Sequence, residues 1–471
     1  MSVAVVVGAV GARRCAARRR PAQAPGNGVA ACAARRLPGL PGPPSDVLCR
    51  AHTRACAQMR LEERGAIYKG KYEGWYCVSD EEFLTDAQVC DSEDLTDADG
   101  NAAKVSIANN NEVVWMKEEN YMFRLSDYAG PLLQWLDENP NTIIPRHRSN
   151  EVRAMIESGL PDLSVSRGVA KLDWGIRVPG DPNHTIYVWL DALANYLTVA
   201  GFPSSDALPV DFHVIGKDIV KFHAIYWPAF LMAADLPLPR KIVAHAHWTL
   251  NNQKMAKSRG NVVDPVEKLD LYGVDQLRFF LLRDGRLQHD ADYNEARVVG
   301  VIDELANKLG NLLSRSTGKK INKARAVPRR ASIAATEGAE ELQAAMAAAV
   351  EQTVRHFDAV EFGEGIEVII LLLKATNAYF DAAKPWILAR EADDVDTQAQ
   401  LDTVLYVTFE SLRLSSILLQ PVIPELAAGV LDRLGLQHSE RSTAHLEFGL
   451  LDGQALSGDT KPLIQKPPQA A

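Results

Sequence analysis

The chain has 471 residues, of which 47% are hydrophobic, so it can form roughly three domains with buried cores. Its net charge of −9 excludes binding to nucleic acid through general basicity, so any RNA contact must use local patches. No apolar run is long enough to cross a bilayer, and we expect no membrane partner.

Residues 1–60 form an Arg/Ala/Pro-rich leader that we predict to be disordered. No acidic residue precedes Asp46, and arginines alternate with Ala, Gly and Pro. This composition resembles an organellar transit peptide, whereas the scarcity of serine and the repeated prolines fit a low-complexity tail or an incorrect start of the reading frame. The residues favour these readings equally.

The six cysteines all lie at or before Cys90, and no two form a Cys-x-x-Cys pair. A disulfide framework confined to one end of so long a chain is not expected. We predict reduced thiols and no zinc site.

Residues 61–183 have a mixed pattern that predicts an α+β insertion. We predict short strands at 74–77 and 113–116, and helical turns at 131–136 and 150–157.

Residues 184–247 alternate between strand-like and helix-like segments, which predicts a parallel sheet. The predicted elements are a strand at 185–190, a helix at 191–196, a strand at 211–216, a helix at 219–234 and a strand at 241–245. Ligands of such sheets bind where the strands end, here at 189–196, 216–218 and 245–248.

After a region at 248–304, apolar residues recur at helical spacing, and residues 305–450 are predicted to form a helical bundle. Helices are expected around 342–354, 365–383, 399–419 and 423–434. Residues 451–471 are predicted to be a tail, frayed after Gly449.

Lys254 and Lys257 lie three residues apart on a short polar loop that continues with Ser258 and Gly260. This composition is typical of a mobile loop that brings ammonium groups onto a polyphosphate.

Gly216 ends a predicted strand, and Asp218 follows it. The pair suits a nucleotide whose ribose hydroxyls donate to a carboxylate, although for these residues alone a simple helix start is the favoured interpretation.

Trp189, Ala192, Tyr196 and His223 could line an apolar pocket for a small unbranched side chain. Ordinary core packing is the alternative, and without context it is favoured.

Lys319, Lys320 and Lys323, with Arg325, Arg329 and Arg330, form a local basic patch that either binds RNA or is a solvated linker.

Several of these motifs resemble methionyl-tRNA synthetases in order and spacing, over about residues 64–448. The matching segments are 186–192 (IYVWLDA), 215–219 (IGKDI), 222–223 (FH), 226–229 (YWPA) and the lysine loop at 254–258 (KMAKS). Segments 72–77, 117–121 and 174–176 resemble that family's connective insertion, and 311–315 and 384–386 resemble its anticodon-binding bundle.

The resemblance implies an α/β fold, with an incomplete class I Rossmann-type parallel sheet and an α+β connective insertion, followed by an all-α anticodon-binding bundle. It implies catalytic roles for Lys254 and Lys257. The implied ATP-binding residues are Gly216, Lys217, Asp218, His245, Lys254, Lys257 and Ser258. The implied methionine-binding residues are Trp189, Ala192, Tyr196 and His223, and the implied anticodon-binding residues are Asn311, Arg315 and Trp386. The domains would be the connective insertion at 61–183, the second half of the catalytic domain at 184–247, a lysine-loop and stem-contact region at 248–304, and the anticodon-binding domain at 305–450.

Three departures from the family pattern stand out. No two histidines are spaced three apart, so the family's His-x-Gly-His turn is absent and we expect the amino-terminal catalytic half to be missing. Ala256 replaces the usual serine of the lysine loop. Asp80 stands where zinc-binding members have a cysteine, so a zinc-free insertion is expected.

The resemblance implies a methionine–tRNA ligase of mitochondrial translation that uses ATP with Mg2+ and binds methionine and tRNA(Met). The expected location is the mitochondrial matrix, with the cytoplasm as the alternative, and the expected state is a monomer. The alternative function is a tRNA-binding remnant without catalytic activity.

Overall fold

A computed structural model describes residues 58–77, 82–84, 86–96, 102–107, 111–170, 172, 174–202, 208–255, 260–330, 336–392, 394–457 and 462–464. These residues divide into two compact units, 58–244 and 245–464. The predicted leader lies outside the described residues except for its last three. Within the described ranges, no helix combines the length and apolarity that crossing a bilayer requires.

An antiparallel sheet forms the first part of the unit 58–244. Ile67–Cys77 pairs with Val113–Phe123 over eleven residues, so the strands predicted at 74–77 and 113–116 are confirmed as parts of longer ones. The strands of this sheet, in spatial order, are Glu82–Leu84, Ile67–Cys77, Val113–Phe123 and Leu163–Ser164. Val89–Thr96 and Ala102–Ser106 form a separate hairpin, and Ser166–Gly168, Asp181–Ile186 and Arg177–Val178 form a third sheet.

Another sheet of this unit contains a parallel pair, but the strand Asp181–Ile186, which the sequence placed in the parallel sheet, pairs antiparallel with Ser166–Gly168 and Arg177–Val178, so that part of the prediction is wrong. The sheet with the parallel pair has the spatial order Phe212–Gly216, Lys241–His245, Ile143–Ile144, and its last two strands run parallel. Ile143–Ile144 therefore pairs with Lys241–His245, a strand of the predicted α/β region, although it falls in the range predicted as an insertion. The helices Ala129–Glu138 and Arg146–Glu157 flank it and contribute to the same buried core.

The predicted strand at 185–190 is wrong in its second half. The strand Asp181–Ile186 ends early, and the helix Val188–Val199 begins two residues later. The buried side chains of this helix recur at a spacing of three to four residues: Leu190, Leu193, Ala194 and Leu197. Burial at the helical period therefore outweighs the β-propensity of the Tyr-Val-Trp run.

The unit 245–464 begins with a hairpin that leads into the lysine loop. Trp248–Leu250 pairs with Gln253–Lys254, and Trp248 and Thr249 also pair in parallel with Ala291–Asp292. Asn251 and Asn252 occupy the turn with φ of 54° and 59°. Asparagine tolerates this left-handed conformation, which a two-residue hairpin turn with matching twist requires.

Helices form the rest of this unit, as predicted. The first group is Pro265–Tyr272, Val274–Asp284, Glu295–Leu305 and Asn311–Ser316. The second group is Ala339–Asp358, Phe362–Ala383, Pro385–Glu391, Val395–Leu419 and Pro424–Arg433. Val395–Leu419 is buried on all sides over most of its length, which makes it the central helix of the bundle.

The segment after Gly449 is not frayed over its described part. Leu451 and Leu456 are buried, and the N–H of Leu456 donates to the carbonyl of Arg325 at 2.9 Å. The N–H of Ser457 donates to Arg433 O at 3.0 Å. The composition of the segment is polar, but these backbone bonds and two buried leucines attach it to the bundle.

Candidate active site and anticodon-type surface

Three of the four residues predicted to line the amino-acid pocket share one face of the helix Val188–Val199. Trp189, Ala192 and Tyr196 are spaced by three and four residues. Trp189 and Tyr196 are half-buried and Ala192 is exposed, so the hydrophobic core does not fully cover this face of the helix. The Trp189 ring stacks on Phe222, with ring centroids 3.6 Å apart and 12° between the planes.

The fourth residue, His223, lies on the π-helical turn Phe222–Tyr226 and is buried. Its Nδ1 lies 3.0 Å from the carbonyl of Ile219, which can only accept, so Nδ1 carries the proton. Nε2 then accepts the Tyr196 hydroxyl at 2.8 Å. Burial lowers the pKa of His223, which keeps the ring neutral and maintains this bond. The structure therefore brings Trp189, Tyr196 and His223 together.

A hydrogen-bonded pair of buried side chains, His213 and Trp227, packs against Tyr196, and sequence analysis missed it. The indole Nε1 of Trp227 donates to Nε2 of the buried His213 at 3.2 Å. The His213 ring contacts Tyr196, with ring centroids 4.4 Å apart. A histidine within the predicted strand 211–216 was the only signal, because the contact joins residues from separate elements.

Because His213 is buried and neutral in the folded protein, we expect the free energy of unfolding to decrease in acid. Burial, with a smaller effect of His223, lowers the pKa of folded His213 to about 4. An unfolded histidine binds a proton below about pH 6.5. The unfolded state thus gains the proton first, and stability that is present at pH 7 should fall by about 2 kcal/mol at pH 5. Urea denaturation at both pH values measures this difference.

The matched variant is His213→Gln, since the glutamine amide oxygen can still accept from the indole. We expect its stability difference between pH 7 and pH 5 to shrink by most of that amount. An unchanged difference in the variant would contradict the role of His213.

The residues predicted to hold ribose follow the strand Phe212–Gly216. Gly216 has φ of −71° and ψ of 148°, an extended conformation open to any residue, so only close approach of a ligand would require glycine there. Lys217 is half-buried and Asp218 exposed on the short turn Lys217–Ile219. Both side chains make further interactions.

His245 is the last residue of the strand Lys241–His245 and is half-buried. Its Nδ1 donates to the carbonyl of Ala246 at 2.8 Å, which fixes the orientation of the ring. Nε2 is the nitrogen left to meet a ligand.

The described part of the lysine loop is its base. Asp292, which the sequence analysis missed, accepts from the Thr249 hydroxyl at 2.8 Å and from the Asn252 N–H at 2.7 Å. The Asn261 amide donates to the carbonyl of Lys254 at 3.2 Å. These bonds fix the two stems of the loop. Ala256, Lys257 and Ser258 lie outside the described residues.

The three residues predicted to bind an anticodon lie in the unit 245–464. Arg315 forms an ion pair with Asp381, and its guanidinium lies 5.0 Å from the ring centroid of Phe380 and 5.8 Å from that of Trp386. Trp386 is 36% exposed, so one part of the ring remains open to solvent. Asp381 and Phe380 were not predicted, because their proximity depends on how two helices pack.

Asn311 lies on the same helix as Arg315, four residues earlier and on the same face. Its amide donates to Oδ1 of Asn307 at 2.9 Å, and both side chains are exposed. The result is a surface of amides, a guanidinium and an indole, the groups that bind unpaired bases by hydrogen bonding and stacking.

No group of three or more His, Cys, Asp or Glu side chains that could hold a metal occurs within the described ranges. The two described cysteines, buried Cys77 and exposed Cys90, form no disulfide bond.

Comparison with known proteins matches two family models to the chain. The model of class I (M) tRNA synthetases matches residues 50–317, and the model of the anticodon-binding domain of methionyl tRNA ligase matches residues 327–455. The first match covers the pocket, the strand end at Gly216 and the lysine loop. The second contains Trp386, whereas Asn311 and Arg315 precede it.

Relatives and solved structures agree with these models. The mitochondrial methionine–tRNA ligase of Homo sapiens is 45% identical over 405 residues, which are 82% of this chain and 68% of that protein. The methionine–tRNA ligase of Mycobacterium bovis is 42% identical over 85% of this chain and 76% of its own length. The crystal structure of Mycobacterium tuberculosis methionyl-tRNA synthetase bound by methionyl-adenylate has a TM-score of 0.81 at 39% identity, covering 88% of this chain and 81% of that one. This chain belongs to the methionyl-tRNA synthetase family of class I aminoacyl-tRNA ligases.

Proposed function

We propose that this protein ligates methionine to tRNA(Met) at the expense of ATP, and that it acts in the mitochondrial matrix. The observation that carries the proposal is the open helix face with Trp189 and Tyr196 beside neutral His223. An aromatic wall suits the thioether of methionine, since sulfur makes favourable contacts with rings. The mitochondrial names of relatives support the location.

The reaction has two displacement steps. The methionine carboxylate attacks the α-phosphorus of ATP, and pyrophosphate leaves. The terminal ribose hydroxyl of the tRNA then attacks the acyl carbonyl, its proton is lost, and AMP leaves. The protein contributes positioning and stabilisation of charge in both steps.

We assign roles to the residues of the nucleotide site by the family resemblance. Gly216, Lys217 and Asp218 hold the ribose, and His245 faces the nucleotide with Nε2. Lys254, Lys257 and Ser258 bind the phosphates, with the two lysines countering the negative charge that moves onto pyrophosphate. Mg2+ enters with ATP as part of the substrate complex, a common arrangement for an ion that keeps several waters.

Asn311, Arg315 and Trp386 bind the CAU anticodon. The indole of Trp386 stacks on an unpaired base, and Asn311 and Arg315 bond to base edges or phosphate. We propose a monomer, since both surfaces belong to one chain. The names of the relatives as ligases favour the enzyme over the catalytically inactive remnant.

ATP–pyrophosphate exchange tests the first step. We expect exchange that depends on methionine and is much weaker with leucine, because the unbranched thioether fits the aromatic wall. Charging of a tRNA(Met) transcript tests the second step. Absence of methionine-dependent exchange by the purified, cooperatively folding chain would refute the ligase function.

A further inference from the structure

A basic stretch of the chain lies next to the anticodon-type surface. Residues 305–336 contain no acidic residue in a chain whose net charge is −9. The cations of this stretch are Lys308, Arg315, Lys319, Lys320, Lys323, Arg325, Arg329 and Arg330. So large a local charge imbalance creates a positive potential that attracts a polyanion.

Two of these arginines have structural tasks. Arg325 donates to the carbonyls of Thr317 and Ser457, and Arg330 donates to the carbonyl of Gly449 at 3.3 Å. They attach the segment to the bundle rather than face a ligand.

Three lysines have no such task. Lys319, Lys320 and Lys323 are exposed, and none of them forms an ion pair with a carboxylate of the described ranges. We call these three residues the lysine ledge. Their ammonium groups are compact point charges on flexible stems, which suits phosphate better than base edges.

The backbone under the lysine ledge is fixed. Ile321 and Asn322 are buried between the lysines, and their N–H groups donate to the carbonyl of Gly318 at 3.0 and 2.9 Å. The Asn322 amide also donates to Ala326 O at 2.8 Å. These bonds fix the backbone that carries the three lysines, which lowers the cost of ordering the chain on binding.

The lysine ledge also follows directly on the residues assigned to the anticodon. Arg315 lies in the last turn of Asn311–Ser316, and Lys319 is four residues further on. Four residues span at most about 14 Å, so the ledge lies within reach of the nucleotides that flank the bases on Trp386.

We propose that Lys319, Lys320 and Lys323 bind the phosphate backbone of tRNA beside the anticodon, so that they contribute affinity without reading sequence. This inference rests on the proposed tRNA function and adds a second contact surface to it. Phosphate contacts set affinity and its salt dependence, whereas base contacts set specificity.

The test compares binding of tRNA(Met) with binding of the same transcript carrying a changed anticodon, at several salt concentrations. We expect Lys319→Gln/Lys320→Gln/Lys323→Gln to weaken both complexes by a similar factor, about tenfold or more. The slope of log K against log salt should become shallower by roughly 0.7 for each phosphate of the unpaired loop that the variant no longer neutralises. Trp386→Ala should instead reduce the preference for the CAU anticodon.

Three controls sharpen the result. Replacing all three lysines with arginine keeps the charge and should retain binding. Arg355→Gln removes one exposed charge from the helix Ala339–Asp358 and should leave the slope unchanged. The thermal unfolding of the glutamine variant should match that of the original protein, because no side chain of the ledge is buried.

The proposal would be overturned by an unchanged salt slope in the glutamine variant, by a loss confined to one anticodon, or by failure of the arginine variant to bind. It would also be overturned if the glutamine variant lost binding to anionic phospholipid vesicles but kept its tRNA affinity. Charging at saturating tRNA should stay near the original kcat, with a higher KM for tRNA. If the original protein does not charge tRNA(Met) at all, the result counts against the ligase function and not against the lysine ledge alone.

Discussion

Glu410→Ala should lower the free energy of unfolding of the helical unit by about 3–5 kcal/mol, the cost of breaking a buried ion pair. Glu410 is fully buried in the helix Val395–Leu419, and its Oε2 accepts from Nε and Nη2 of Arg413 at 3.0 and 2.6 Å. Its Oε1 accepts from the N–H of Leu451 at 2.8 Å. The truncation leaves a buried guanidinium without its counter-charge and a buried amide without an acceptor.

Urea denaturation followed by far-UV circular dichroism measures this loss. Glu410→Gln keeps an acceptor for Leu451 and should lose less than the alanine variant. Arg286→Ala, which removes an exposed ion pair with Glu364 at 3.6 Å, should cost less than about 1 kcal/mol. If Glu410→Ala cost no more than Arg286→Ala, the central role of this pair would be wrong.

Trp189→Ala should raise the KM for methionine in ATP–pyrophosphate exchange by on the order of 30-fold to 100-fold. Removing a large apolar contact costs about 2–3 kcal/mol, and each 1.4 kcal/mol is a factor of ten in affinity. The loss includes the partner of Phe222 in the stack and one edge of the wall beside His223.

Trp115→Ala is the matched control, because it makes the same chemical change on an exposed strand position, where the ring contacts Trp75. Its KM for methionine should stay within about twofold of the original. Trp386→Ala should show the reverse of Trp189→Ala, with weaker tRNA binding and little change in methionine KM. Equal KM values for the Trp189 and Trp115 variants would exclude Trp189 from the methionine site.

The sequence predicted the helical bundle, which depends on periodicity within short segments, but not the partner of the parallel pair, since Ile143–Ile144 joins Lys241–His245 from a distant part of the chain. It failed at Tyr187–Leu190, where local β-propensity suggested a strand and tertiary burial selected a helix. Residue types alone favoured ordinary core packing for Trp189, Tyr196 and His223, and only the family resemblance favoured a pocket. Nothing local in the sequence indicates that Tyr196 and His223, 27 positions apart, share a hydrogen bond.

The functional residues that the sequence did not predict were missed for one reason. His213 and Asp381 act through partners on other elements, and Asp292 accepts from residues about 40 positions away in the chain. Such pairings follow from packing rather than from spacing. The attachment of Leu451 and Leu456 was missed for the same reason, since the polar composition around them suggested a frayed tail.

The attachment of residues 445–457 to the bundle determines when each unit can fold during synthesis on the ribosome. Arg413 in the central helix bonds to the carbonyls of His445 and Glu447, and Arg325 bonds to the carbonyl of Ser457. The central helix therefore emerges with the Glu410–Arg413 pair in place but before the backbone groups that complete its hydrogen bonds have been synthesised. The unit 58–244 can fold while translation continues, whereas the unit 245–464 completes its core only after Ile464 has left the exit tunnel. In the interval the nascent helices expose apolar surface that the finished core buries.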